Sequence, residues 1–141
     1  MVRYFLDTGI FIQSFDGSDP QKQDHAQALI GAALNNHIGI ISYQVVEEFL
    51  DWALHRFEEP LTLQDARDYL KQVLMPLNEV SPDMELMRSA LDYVGQTGYP
   101  IGDASILAAA VKGRCQIIYS NRFQKVQRIG NLILRNPFLN L

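Results

Sequence analysis

Three acidic residues that lie far apart in the sequence are the best candidates for chemistry: Asp7, Glu48 and Asp103. Carboxylates that a fold brings together repel one another unless a positive charge neutralises them. A hard divalent cation with oxygen ligands, such as Mg²⁺, is the usual solution. Such a cation can polarise a phosphoryl oxygen and activate a water molecule. If the fold gathers these residues, we predict that they are catalytic residues and metal ligands in the hydrolysis of a phosphodiester bond.

Each acid also has a purely structural interpretation. Asp7-Thr8-Gly9 suits a turn, Glu48 could face solvent on an amphipathic helix, and Asp103 could complement the dipole at the start of a helix. For Asp7 the functional interpretation is favoured, because the acid directly follows a stretch that is typical of a buried strand. Glu48 and Asp103, taken alone, favour the structural interpretation.

The elements that would position these acids alternate between strands and helices. Five apolar stretches predict strands: residues 2–6, 37–41, 76–80, 116–119 and 131–135. Capping signatures and helical spacing predict helices that begin after Asp19, Ser42, Thr62 and Ser81, and the alanine-rich residues 101–111 predict another. This order predicts one α/β domain over residues 1–141, with a mostly parallel sheet of about five strands.

The predicted sheet would bring the candidate residues to one edge. Ligands of an open parallel sheet bind outside the carboxyl ends of its strands. Asp7 falls at the end of the first strand, and residues 120–122 follow the fourth. Glu48 lies in the second turn of the helix after strand two, and Asp103 lies near the start of its helix. We therefore expect these four segments to converge.

The composition limits the class of protein. The chain has 141 residues, of which 48% are hydrophobic and 20% are charged, as in an ordinary globular domain. One cysteine cannot build a disulfide framework. No stretch has the length and apolar character of a signal peptide or a membrane span. We expect a soluble cytoplasmic protein without a membrane partner.

The charges are distributed unevenly along the chain. The net charge is −4, yet all 16 acidic residues lie in residues 1–103, together with half of the 12 basic residues. Residues 104–141 contain the other basic residues and no acid. Such asymmetry indicates an anionic partner. The alternative is that the two parts neutralise each other once the chain is folded.

Four segments in this order resemble the PIN domain family, and most of all its ribonuclease toxins of the VapC type. They are YFLDTGIFI at 4–12, ISYQVVEEF at 41–49, IGDASILAAA at 101–110 and IIYSNRF at 117–123. The closing GNLILRNPF at 130–138 is also similar to the end of many such proteins. The resemblance covers essentially the whole chain.

The resemblance implies a three-layer α/β/α sandwich, Mg²⁺ or Mn²⁺ as the cofactor, and endonucleolytic cleavage of RNA. It also implies inhibition by an antitoxin protein, and a homodimer. Asp7 and Asp103 match the first and third acids of the family. Glu48 rather than Glu47 matches the second, because the family's acid precedes a residue like Phe49. Thr8 resembles the small polar neighbour of the first acid.

The fourth acidic position of the family departs from this pattern. The segment after the fourth strand reads Ser120-Asn121-Arg122, with an arginine where an acid is common. Ser120 and Asn121, like Thr8, are candidate auxiliary residues. Arg122 could contact phosphate or replace the charge of a second metal ion, and a one-metal enzyme, a weak enzyme or an inactive relative that binds RNA or a protein all fit this segment. The candidates for RNA contacts are Arg122, Lys125 and Arg128.

Other classes fit the residues less well. Asp7-Thr8-Gly9 also begins the signature of a retroviral-type aspartic protease, but that fold is nearly all β and this chain has at least four helical segments. A receiver-type signalling domain wants a pair of acids after its first strand, and Asp7 has no acidic neighbour. Phe49 and Trp52 could belong to a partner-binding surface, although aromatic residues at helical spacing are more typical of a core.

Overall fold

Six strands form one sheet in residues 2–123, 126–139 and 141, which are the residues that the computed structural model describes. The strands are β1 (Tyr4–Leu6), β2 (Gly39–Ser42), β3 (Asn78–Val80), β4 (Ile117–Tyr119), β5 (Gln127–Ile129) and β6 (Leu132–Arg135). The helices are α1 (Thr8–Gln13), α2 (Pro20–Asn36), α3 (Tyr43–His55), α4 (Leu63–Tyr69), α5 (Met75–Leu77), α6 (Met84–Thr97) and α7 (Ile101–Lys112). A π-helical segment, Leu70–Leu74, joins α4 to α5.

The sheet has the strand order β3-β2-β1-β4-β6-β5. All neighbouring pairs are parallel except β5 and β6, which form an antiparallel pair at one edge. The chain builds outward from β1 to β3 and then returns across the sheet to β4. Since parallel crossovers are right-handed, α1 to α5 cover one face, and α6 and α7 cover the other. The predicted α/β/α sandwich is confirmed, with β5 as an additional strand.

Two predicted helix starts are confirmed by their capping hydrogen bonds. The carboxylate of Asp19 accepts a hydrogen bond from the backbone N–H of Lys22 at 3.2 Å, and Pro20 is the first residue of α2. The hydroxyl of Thr62 accepts one from the backbone N–H of Asp65 at 3.1 Å. In both cases a short polar side chain satisfies an N–H group that has no partner within the helix.

The other two predicted helix starts differ in outcome. Ser42 is the N-cap residue of α3 as predicted, although its side chain makes no capping hydrogen bond. The cap of α6 is Asp83 rather than Ser81, because the Asp83 carboxylate accepts a hydrogen bond from the Leu86 N–H at 2.8 Å. The same carboxylate pairs with Lys112 on α7 at 2.8 Å. This pair connects α6 to α7 at the surface, and the Lys112 ammonium holds the pKa of Asp83 below its ordinary value.

The central strands β1 and β2 lie in the hydrophobic core. All three residues of β1 and all four of β2 are buried, as expected for strands that are covered on both faces. Phe49 is fully buried and packs against Phe11 and Tyr69, so its assignment to the core is confirmed. Trp52 remains 37% exposed, with the Arg56 guanidinium 5.0 Å from its ring centroid, so the core assignment was wrong there.

No helix within the described part of the chain combines the length and the apolar character that a membrane crossing requires.

Candidate functional site

The ends of two neighbouring strands place Asp7 and Ser120 side by side. β1 and β4 are parallel partners, and the chain leaves them in opposite directions across the sheet, which makes this the point where ligands of such sheets bind. Asp7 is fully buried and caps α1, its Oδ1 accepting a hydrogen bond from the Thr8 N–H at 2.7 Å. Its Oδ2 accepts a hydrogen bond from the Ser120 hydroxyl at 2.6 Å. The first acid is therefore fixed in orientation on both of its oxygens.

Glu48 on α3 reaches the same edge and is tied to it by two neighbours. Its Oε1 accepts a hydrogen bond from the Thr8 hydroxyl at 2.6 Å. Its Oε2 accepts one from the Gln44 side chain at 3.4 Å, and that amide also donates to the carbonyl of Gly102 at 3.1 Å. Gln44 thus links α3 to the first turn of α7, next to Asp103. The sequence reasoning missed Gln44, although its spacing of four residues from Glu48 on one helix face is a usable signal.

The guanidinium of Arg122 lies between all three acids, which we call the acid trio. Its Nε donates to Asp7 Oδ2 at 2.7 Å. Its Nη2 donates to Glu48 Oε1 at 2.8 Å, and its Nη1 donates to Asp103 Oδ1 at 2.7 Å. The shortest hydrogen bond of each nitrogen therefore goes to a different carboxylate, at the distance of a strong, charge-assisted hydrogen bond, and Nη2 also donates to Asp7 Oδ1 at 3.4 Å.

The four charged side chains of the site differ in their exposure to solvent. The side chain of Asp7 has no exposed surface, whereas those of Arg122, Asp103 and Glu48 are 26%, 28% and 36% exposed. Burial acts to lower the pKa of Arg122, but the carboxylates of Asp7, Asp103 and Glu48 outweigh it and raise that pKa above its ordinary value. The arginine is therefore a permanent cation. It compensates one of three formal negative charges.

The chain around Arg122 directs its side chain inward. The backbone N–H of Arg122 donates to the Ser120 hydroxyl at 3.0 Å. Phe123 is 4% exposed and stacks on Tyr99, with ring centroids 5.8 Å apart. The Tyr99 hydroxyl donates to the side chain of Gln127 on β5 at 2.7 Å. The turn after β4 is thus anchored on both sides of Arg122.

Asn121 occupies space that the glycine of α1 leaves free. A Cβ added at Gly9 would meet Asn121 Cγ at 2.6 Å and its amide oxygen closer still. The Asn121 amide therefore packs against the backbone directly after Asp7 and Thr8. Gly9 is required here for close approach and not for an unusual backbone angle.

The acid trio has donors that suit a hard divalent cation, since carboxylate oxygens are the ligands that Mg²⁺ prefers. In this structure, however, the position between the carboxylates is filled by the guanidinium. Among the described residues, no group of three or more His, Cys, Asp or Glu side chains could hold a metal ion. With Arg122 in this position the residues do not fit the metal that the resemblance implies. The predicted role of the acid trio as metal ligands stays a prediction.

The remaining predicted residues divide into three groups. Thr8 and Ser120 belong to the hydrogen-bond network of the trio. Arg128 is exposed on β5, outside this network, and Lys125 lies outside the described residues. The uneven charge distribution is partly neutralised within the fold, because Arg122 and Lys112 from the basic part pair with acids of the first part.

Known proteins support the same fold. A comparison with the curated proteins finds no match. Among solved structures, a toxin–antitoxin complex from Klebsiella pneumoniae is similar with a TM-score of 0.70 and 17% identity, covering 96% of this chain and 98% of that one. DNA-bound VapBC from Salmonella typhimurium has a TM-score of 0.65 and 16% identity, with coverage of 97% and 99%.

A third structure, VapC20 from Mycobacterium tuberculosis, is described as a toxin that cleaves the sarcin–ricin loop. It has a TM-score of 0.62 and 16% identity, and the match covers 83% of this chain and 88% of that one. At these identities the similarity shows the fold. A comparison with protein families matches residues 4–128 to the PIN domain. That match covers most of the chain, and the chain therefore belongs to the PIN domain family.

Proposed function

We propose that this chain is an endoribonuclease, the toxin of a toxin–antitoxin pair, which cleaves phosphodiester bonds of RNA at the acid trio. The observation that carries the proposal is the convergence of Asp7, Glu48 and Asp103 at the carboxyl edge of the sheet, from three separate segments. A structural role for any one of these acids would not require the other two to be near it. The description of VapC20 as a cleaving toxin points in the same direction.

The cofactor that we propose is Mg²⁺ or Mn²⁺. The acid trio would hold it in a state in which Arg122 has left the position between the carboxylates, and the bound ion would supply Lewis acidity. Thr8 and Ser120 would keep the carboxylates of Glu48 and Asp7 oriented in that state. Arg128 and Lys125 are proposed to contact the RNA backbone.

The proposed protein partner is a small antitoxin. The similar structure from Klebsiella pneumoniae is a toxin–antitoxin complex, and the one from Salmonella typhimurium is VapBC bound to DNA. A homodimer and a cytoplasmic location complete the proposal. Size-exclusion chromatography with light scattering tests the dimer, and co-expression with the protein encoded by the adjacent reading frame tests the antitoxin.

The decisive experiment is an RNA cleavage assay with Mg²⁺ or Mn²⁺ on the wild type, Asp7→Asn and Asp103→Asn. Asp51→Asn is the matched control, because Asp51 is exposed on α3. Each change in the trio should lower the cleavage rate by at least about a hundredfold, as the removal of one catalytic group typically does. The control should cleave like the wild type. Equal rates for all four proteins, or no metal-dependent cleavage by the wild type, would reject the proposal.

A second candidate function is a PIN domain that binds RNA or a protein partner without cleavage. The occupation of the centre by Arg122 specifically favours it. This candidate predicts that the wild type binds RNA or the partner while no product forms with either metal. A gel-shift assay and a cleavage assay on the same labelled RNA separate the two functions.

A further inference from the structure

We infer that Arg122 is the resident cation of the acid trio and competes with divalent metal ions for it. The inference rests on the proposed function only in that both concern the acid trio. It concerns what the trio binds in the protein as folded, whether or not RNA is cut. The turn after β4, residues 120–123, is then a plug that the chain supplies to its own site.

The geometry of the guanidinium carries the inference. Arg122 engages one oxygen of each carboxylate at 2.7–2.8 Å, so the guanidinium occupies the space between the three acids that a metal ion shared by them would need. Asp7 is the most constrained, since its Oδ1 is taken by the Thr8 N–H and its Oδ2 by Ser120 and Arg122. Binding of a metal ion shared by the three carboxylates therefore requires the guanidinium to withdraw.

The plug is held by more than its charge. The Ser120 hydroxyl accepts the backbone N–H of Arg122 while it donates to Asp7, so the same serine orients both partners. Phe123, the next residue, is buried against Tyr99. The side chain of Arg122 is thus placed before it pairs with the acids. An arginine on an unanchored surface turn would lose more conformational entropy on making the same contacts.

The plug can nevertheless be displaced. One guanidinium leaves two formal negative charges of the trio uncompensated, and the side chains of Glu48 and Asp103 are about a third exposed. A divalent cation would compensate the charge more fully than Arg122 does. Charge-assisted hydrogen bonds each shift an equilibrium by about tenfold or more. Since three must be broken, we expect Arg122 to weaken metal binding by at least about a hundredfold.

The test is calorimetric titration of Mn²⁺ into the wild type and Arg122→Met. Arg88→Met is the matched control, because Arg88 lies exposed on α6, where it pairs with Glu85. The expected result is a new Mn²⁺ site in Arg122→Met that binds at least about a hundredfold tighter than any site in the wild type or the control. Adding Asp7→Asn to Arg122→Met should abolish the new site and so locate it at the trio.

If Arg122→Met is too unstable to fold, Arg122→Lys still tests the inference. A lysine keeps the positive charge but lacks the planar set of donors with which the guanidinium contacts all three carboxylates. It should show intermediate affinity for Mn²⁺. Wild-type affinity equal to that of both variants, or no gain of Mn²⁺ binding in either, would overturn the inference. Tight Mn²⁺ binding and RNA cleavage by the wild type would overturn it while upholding the proposed function. A gained Mn²⁺ site in Arg122→Met, together with no RNA cleavage by the wild type, would uphold the inference and reject the proposed nuclease function.

Discussion

Removing the guanidinium should destabilise the fold even without metal or RNA. In Arg122→Met the side chain keeps similar length but loses its charge and its donors. Breaking a buried ion pair by removing one partner costs about 3–5 kcal/mol, because the other charge stays buried and unpaired. Here only Asp7 is fully buried, and it keeps its hydrogen bonds from Thr8 and Ser120. Solvent screens the other two acids, which reduces the expected loss to about 2–3 kcal/mol.

Urea unfolding at pH 7, followed by circular dichroism in the presence of a chelator, measures this loss. With a slope of about 2 kcal/mol per molar urea, the midpoint of Arg122→Met should fall by about 1–1.5 M. Arg88→Met, which removes the same charge from an exposed site, should change the free energy of unfolding by less than about 0.5 kcal/mol. The chelator excludes rescue by contaminating metal ions.

A double-mutant cycle identifies the partner that suffers most. In the Asp7→Asn background the buried side chain is neutral, so Arg122→Met should cost about 1 kcal/mol or less, giving a coupling energy of about 2 kcal/mol between the two positions. A midpoint for Arg122→Met within experimental error of the wild type would refute the reasoning. So would a coupling energy near zero, since it would mean that Asp7 does not depend on the guanidinium.

Three further predictions concern positions beside the site and in the core. Gly9→Ala should destabilise the wild type, because the added Cβ would displace Asn121. In an Asn121→Ala background the same change should raise the free energy of unfolding in urea by about 0.5–1 kcal/mol, because alanine favours the helix. Destabilisation in both backgrounds would contradict this. Burial raises the pKa of the Cys115 thiol to about 12, so iodoacetamide at pH 8 should alkylate the folded chain about a thousandfold more slowly than the urea-unfolded chain; similar rates would place the thiol in solvent. Burial also raises the pKa of Tyr69 from 10.0 to about 12. The resulting stabilisation is complete below pH 10 and is lost as the pH rises through 12, so Tyr69→Phe should flatten the decline of stability over that range in urea titrations at increasing pH, and an unchanged decline would show that Tyr69 does not cause it.

The position of the first acid was predictable because it depends on local pattern and on one general property of parallel sheets. The apolar stretch before Asp7 indicates a strand buried on both faces, and β1 is buried throughout. The carboxyl ends of parallel strands share an edge, so an acid after the first strand and a serine after the fourth meet once those strands are neighbours. No knowledge of the helices is needed for that step.

Among the short elements that the sequence did not predict, α1 and β5 were missed for different reasons. α1 begins at Thr8, where Asp-Thr-Gly was interpreted as a turn, yet Asp7 is the N-cap of a helix. Turn residues and capping residues are chemically the same, and only the following residues distinguish them. β5 spans three residues and pairs with β6 through a turn in which Gly130 has a φ of 61°. The Gly130-Asn131 dipeptide was a usable hairpin signal.

The direction of Arg122 could not be read from the sequence. Its neighbours Ser120 and Asn121 allow a turn in which the arginine points outward to phosphate or inward to the acids. In the structure the inward direction coincides with the packing of Phe123 on Tyr99, which lies 24 positions earlier in the chain. Contacts between residues so far apart in the sequence depend on the tertiary structure, and the periodicity of the sequence does not predict them.

The energetics of the cluster separate a structural role from a functional one. Buried ion pairs stabilise a fold no better than apolar residues of the same volume, because the desolvation of the charges offsets most of their attraction. Stability alone would therefore favour an apolar edge here. The structure instead gathers three acids of which Arg122 compensates one formal charge, and it leaves Glu48 and Asp103 about a third exposed. This cluster has an excess of negative charge, is partly exposed to solvent and has its central position filled by one anchored side chain. These are the properties of a binding site that a residue of the chain itself occupies. The cluster is a functional metal site only if the Arg122 side chain can leave it. The Mn²⁺ titration of Arg122→Met against the wild type measures the free energy that keeps this side chain in place.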